Sequence, residues 1–254
     1  MQTKSLQIFL LVLIIIGLGL LATQDKWVPK LVEIILSGEK STQTTSTETE
    51  TNSGKVSITS TDINEANFTG KKAVIAGDGL LVTESNKYIE ATIAEFKKRA
   101  DVDVPDMRKQ FGVDNPTANY SIDITAKEVT SPQMHSMVMS IYTYTGGAHG
   151  SSYYKVFNVS GDESKLLALV DVMKGDKQLA FAELVKKELH NWIPEDSPVI
   201  FPEEVAKLTF NSFKNWALDV NNIIIYFDQY EIGPGVLGAV AFPISREKIK
   251  DFLK

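Results

Sequence analysis

The 254-residue chain contains no cysteine, so disulfides, thiolate metal sites, iron–sulfur clusters and cysteine nucleophiles are excluded. Histidine is scarce as well. His135, His149 and His190 are the only three, which leaves little room for a histidine-rich metal site, and no metal or cofactor is expected. Positive charge is in deficit, with 26 Lys+Arg against 32 Asp+Glu and a net charge of −6. A nucleic-acid partner is not expected, because phosphate binding needs a basic face. Long apolar runs are lacking too, with a single exception, and one is too few for a multi-span membrane protein. With 43% apolar and 23% charged residues, the composition is that of a chain that folds.

The exception is Leu6 to Ala22, LQIFLLVLIIIGLGLLA, preceded by Lys4. A helix of that length spans roughly 26 Å, slightly short of the ~30 Å hydrocarbon core, and modest thinning accommodates the difference. The competing reading is a cleaved signal peptide, whose cleavage site wants small residues three apart. Ala22 would be the last residue, but Leu20 fits the matching position poorly, so a retained anchor is preferred and secretion after cleavage is the alternative. Lys4 biases residues 1–5 to the cytoplasm, residues 6–22 cross, and the remainder lies outside. Residues 23–54 form a juxtamembrane segment and linker. Asp25 to Leu36 is amphipathic, with Pro29 against a straight continuous helix. SGEKSTQTTSTETETNSG, 37–54, cannot bury enough apolar surface to order itself and reads as a disordered, solvated tether.

Lys55 to Lys254 is the folded part. Four of the 26 basic and five of the 32 acidic residues precede it, leaving 22 against 27, a net −5. Lys71 to Thr83 reads as a strand or hairpin turning at Gly77-Asp78-Gly79. Ser85 is a candidate N-cap for a helix to about Ala100. Three strands follow as a meander: Tyr120 to Ala126, Met137 to Tyr144 with two usable faces, and SSYYKVFNV from Ser151. Asp176 to Ile193 is predicted helical, with Leu179, Ala182, Val185, Leu189 and Trp192 as its inner stripe and Pro194 as its stop. A short helix follows Pro202. Strands are then predicted around Ile223–Phe227 and Val240–Ile244, with Ser245 capping a last helix. Without regular strand–helix–strand crossovers, the expected class is α+β: an antiparallel sheet with packed helices, preceded by one transmembrane helix and a disordered linker.

Tyr142 to Gly150, YTYTGGAHG, resembles the tyrosine-rich strand and GGAH loop of the PdaC/RsiV-like extracytoplasmic family. Phe227 to Ile244, FDQYEIGPGVLGAVAFPI, is similar to that family's YEI-Pro-Gly hairpin and closing strand, and the LVDVM stretch from Leu169 resembles the segment before its central helix. The resemblance implies two modules, a PdaC-type N-terminal one over 55–160 and an RsiV-like C-terminal one over 161–254. PdaC-type members carry a separate deacetylase domain that uses a paired-Asp motif and a two-histidine metal site. No such run exists here, so neither that catalytic domain nor an anti-sigma segment is expected. RsiV-like members sense lysozyme through their outer domain, and only that outer domain carries over.

Candidate ligand-binding residues are Tyr142, Tyr144, Gly146, Gly147, His149, Tyr153, Tyr230 and Glu231. The glycines are expected to supply positive φ for a hairpin turn, or alternatively a backbone cradle facing a ligand alongside His149. Tyr142, Tyr144, Tyr153 and Tyr154 read as an aromatic platform or as cross-strand packing. Asp228 and Glu231 are a nominal carboxylate pair for glycoside cleavage, although a solvated loop is the preferred reading. No catalytic residue is assigned. The expected function is a membrane-anchored extracytoplasmic binding or sensing domain at a bacterial cell envelope. Its partner would be peptidoglycan or a basic cell-wall-active protein such as lysozyme, since the acidic ectodomain favours a basic partner. The alternative is a cryptic cell-wall hydrolase or a deacetylase accessory domain.

Overall fold

The computed structural model describes residues 56–113, 115, 118–192 and 200–254. The expected membrane segment and linker lie outside the described residues, as does the expected helix stop at Ile193-Pro194. Among the described residues, no helix is long and apolar enough to cross a membrane.

β1 (Ser57–Asn64) and β2 (Phe68–Ala76) form an antiparallel hairpin, turned where the Glu65 N–H donates to the Phe68 carbonyl at 3.0 Å. Of the strand or hairpin expected over Lys71–Thr83, the strand forms as far as Ala76 and the hairpin does not. The chain leaves the sheet at Gly77-Asp78-Gly79 and enters helix α1 (Leu80–Phe111). Leu81, Val82, Ser85, Ile89, Phe96, Ala100 and Val104 are buried along it. This is one helical stripe, and it absorbs Leu80 to Thr83. Ser85, expected as the N-cap, lies inside the helix; Gly79 takes the cap position with φ +110°. The Glu163 carboxylate fills the space where any Cβ on Gly79 would sit and brings negative charge to the helix N-terminus. The helix also continues past Ala100 and through Pro105, with Val104 fully buried beneath that turn.

α1 returns the chain to β3 (Tyr120–Ser131), which pairs in parallel with β2 from Phe68↔Tyr120 to Lys71↔Asp123. One strand–helix–strand crossover therefore exists, and the sheet is mixed rather than wholly antiparallel. β4 (Met134–Tyr144) and β5 (Ser151–Ser160) complete the expected meander, in the order β1-β2-β3-β4-β5. Alternation sends Met137, Met139 and Ile141 of β4 into the α1 core, while Val138 faces the other way.

Beyond β5 come helices α2 (Leu169–Val172), α3 (Gln178–Trp192) and α4 (Pro202–Lys207). A second, antiparallel sheet of β6 (Trp216–Leu218), β7 (Asn222–Phe227) and β8 (Val240–Ser245) follows. Ser245 caps helix α5 (Arg246–Ile249) by accepting from the Glu247 N–H. The α3 stripe differs from expectation. Leu179 is 77% exposed while Phe181 is fully buried, and Trp192, 45% exposed, keeps its ring 5.5 Å from that of buried Phe242 at the edge of the stripe. The inner face is Phe181, Ala182, Val185 and Leu189, which leaves Leu179 about 200° round the helix from Phe181.

The layers run α1, five-stranded sheet, three-stranded sheet, α3. α1 covers one face of the first sheet. Val138, Val156 and Tyr154 on its other face meet Ala217, Ile224 and Tyr226 of the second sheet. The opposite face of that second sheet, with Trp216, Ile225, Phe227 and Phe242, packs on α3. A buried polar link crosses between the sheets: the Ser136 hydroxyl donates to Asn158 Oδ1 (2.6 Å), and the Asn158 amide donates to the Trp216 carbonyl (2.9 Å).

Candidate functional site

β5 lies at the edge of the first sheet, where unpaired backbone groups invite unwanted pairing. Side chains from the second sheet's strand ends occupy them. Asp228 Oδ1 accepts the Tyr154 N–H (2.8 Å), and Gln229 accepts the Ser152 N–H through its side chain (2.9 Å) while its own N–H donates to the Ser152 carbonyl (3.0 Å). Asn215 takes both roles, accepting from the Val156 N–H (3.1 Å) and donating to the Tyr154 carbonyl (2.9 Å). This clasp fixes the loop after β7 against β5, and with it the position of Tyr230.

Two loops thereby come together. In the β4–β5 loop, Gly146 and Gly147 hold φ +87° and +95°, the positive values expected of them. The Tyr144 hydroxyl donates to the Gly147 carbonyl at 2.9 Å, and the Tyr142 ring lies against Gly150, where a Cβ would collide with it. His149 Nδ1 is 3.0 Å from the Gly150 carbonyl, so this nitrogen carries the proton and Nε2 accepts from the Tyr230 hydroxyl at 3.2 Å. Tyr230 has φ +71°, a left-handed conformation that a bulky residue adopts only when its surroundings impose it. Its ring packs over Gly235. Tyr142, Tyr230 and Val236 are 38%, 49% and 91% exposed, so the paired loops present an aromatic and apolar surface around His149.

Asp228 and Glu231 are not in a solvated loop. Both are half-buried, and burial is the first cause that raises the pKa of each above the ordinary carboxylate value. Glu231 Oε2 accepts the Asp228 N–H (2.8 Å), and the Glu231 N–H donates to the Asp228 carbonyl (3.0 Å). Both carboxylates line an open polar groove of about 670 Å³ with Thr209, Lys214, Asn215 and Tyr230.

The four tyrosines do not form one platform. Tyr142 and Tyr144 belong to the loop surface. Tyr154 packs between the sheets, its ring 4.8 Å from that of Tyr226. Tyr153 points to the α1 side, where burial, then its neighbour Tyr88, push its phenol up to about 12. His135 pairs with Glu128 at 3.2 Å and, like His190 on α3, takes no part in the loop surface. Among the described residues, no group of three or more His, Asp or Glu side chains could hold a metal ion. The clasp residues Asn215 and Gln229 escape sequence reasoning, whose only signal for them is a polar side chain flanking an apolar strand.

Residues 66–152 match the family described as Deacetylase PdaC, and residues 171–247 match the family described as Protein of unknown function (DUF3298). The chain is 27% identical over 178 residues to the peptidoglycan-N-acetylmuramic acid deacetylase PdaC of Bacillus subtilis, a stretch covering 66% of this chain and 35% of that enzyme. It thus spans about a third of the curated relative's length. Two solved DUF3298 proteins share the fold. One, from Bacteroides fragilis, has a TM-score of 0.53 at 18% identity and covers 78% of this chain and 94% of its own. The other, from Pseudomonas aeruginosa, has a TM-score of 0.52 at 16% identity, with 79% and 93% covered.

Proposed function

We propose that this chain, in which a PdaC-type region and a DUF3298 region stand in tandem, is a membrane-anchored recognition module working outside the cytoplasm at the cell envelope. Its ligand is peptidoglycan or a basic cell-wall-active protein such as lysozyme. The observation that carries this reading is the His149–Tyr230 contact. It joins a loop of each region, keeps a strained tyrosine exposed, and sits among aromatic groups of the kind that anchor partners by area rather than by chemistry. The net charge of −5 from Lys55 onward assists encounter with a basic partner.

Full-length protein reconstituted in lipid should be retained on insoluble peptidoglycan or on immobilised lysozyme, and Tyr230→Ala should abolish that retention. Retention on neither matrix overturns the reading. One observation favours a second function: Asp228 and Glu231, both biased toward protonation, share a groove. A cryptic hydrolase using them would release soluble sugars, acetate or peptides from peptidoglycan, and Glu231→Gln would stop that release. The engagement of both carboxylates with backbone N–H groups argues for a structural role instead.

A further inference from the structure

On the α1 side of the first sheet, α1 and the ends of β3, β4 and β5 border an open groove of about 530 Å³, within the usual range for small-molecule sites. One wall is a stripe along α1 at helical spacing, Tyr88, Thr92, Glu95 and Arg99, and the other is Thr143, Thr145 and Tyr153. Buried Phe96 and Ile122 make the apolar floor.

The charges in this groove are unusual. Glu95 and Arg99 stand four residues apart with opposite sign, a spacing that commonly pairs. Arg99 instead turns its Nε to Asp103 (3.3 Å), and Glu95 makes no hydrogen bond or ion pair among the described residues. A carboxylate without a partner and a guanidinium shared with Asp103 and Tyr120 therefore line one cavity, beside two phenols and three threonine hydroxyls.

We propose that this groove is a binding site for an uncharged pyranose ring of a glycan. Such a ring offers an apolar C–H face to Tyr88 or Tyr153. Its hydroxyls donate to Glu95 and accept from Arg99, and each of these contacts gains from one charged partner. Other ligand classes fit less well. An anion would meet the unpaired Glu95. An extended peptide would need a free strand edge, but β3 and β4 are interior to the sheet and the outer groups of β5 are taken by the clasp. The groove shares Thr143 and Thr145 with the β4–β5 segment but is lined by none of His149, Tyr230 or Val236, and it does not depend on the function proposed for the loop surface.

The test uses the full chain in phospholipid nanodiscs, titrated calorimetrically with an N-acetylglucosamine tetramer, with cellotetraose and with an alanine tetrapeptide. At least one oligosaccharide should bind saturably. Glu95→Gln and Arg99→Gln should each weaken it about tenfold or more, as expected for loss of a charged hydrogen bond, with unchanged thermal melting because both side chains are exposed. Tyr230→Ala should leave this binding intact, which keeps the outcome distinct from failure of the loop surface. The proposal is overturned if neither oligosaccharide binds, if only the peptide binds, or if sugar binding survives both groove substitutions or disappears with Tyr230→Ala.

Discussion

Asp228 holds the loop surface in place through one hydrogen bond, and two substitutions separate its hydrogen bond from its charge. Asp228→Ala removes the acceptor for the Tyr154 N–H (2.8 Å) at a half-buried sheet edge. Leaving a buried backbone donor unsatisfied costs about 1–3 kcal/mol, and release of a desolvated carboxylate offsets part of that. Asp228→Asn keeps an acceptor oxygen in the same place and removes the charge. Burial raises the folded-state pKa of Asp228 above its unfolded value of 3.8, so the folded protein holds this proton more tightly than the unfolded chain does. The group is therefore most favourable below 3.8, and it loses stability as pH rises through the raised folded value. Urea denaturation of the full chain at neutral pH should then rank Asn at or above wild type, and Ala below both. On acidification toward pH ~4, wild type should gain relative to Asn. Equal destabilisation by Ala and Asn would refute the clasp, and parallel pH profiles of wild type and Asn would refute the desolvated charge.

Phe181→Ala empties the centre of the α3 core, where Phe181 meets Phe210, Phe213 and Phe252, and should cost about 3–5 kcal/mol in denaturant titration. Gly79→Ala combines a φ of +110° with a collision against the Glu163 carboxylate and should destabilise by about 1–3 kcal/mol; Glu163→Gly should relieve the collision but not the strain. Asp162 accepts from Ser160, then from Ser164, and is held down to about 2. Its stabilising effect is present above 3.8 and is lost as pH falls toward 2, so its carboxyl NMR resonance should titrate well below an ordinary aspartate and move up in Ser160→Ala.

The elements that alternate cleanly are legible in the sequence. Ile223, Ile225 and Phe227 against Val240, Phe242 and Ile244 give β7 and β8 their inner face, and the GGAHG run between aromatic strands marks the loop that joins them. Leu80 to Thr83 is not legible. Four such residues suit either period, and a Gly-Asp-Gly before them serves a hairpin as readily as a helix start. Only the buried stripe continuing to Val104 decides for the helix, and with it for the parallel β2–β3 pairing. Leu179 misleads because apolar side chains are common on surfaces. In the site, the aromatic loops are visible as composition, but His149 reaches a partner 81 residues away. Asp228 and Gln229 are tied to main-chain atoms of another sheet, which no local pattern encodes.

Hydrogen–deuterium exchange of the full chain, with and without saturating peptidoglycan fragments or lysozyme, tests the recognition surface most directly. One of these ligands should slow exchange in residues 142–150 and 228–237 together, and Tyr230→Ala should abolish both effects at once. Protection of only one loop, or of neither with both ligands, would contradict a shared binding surface.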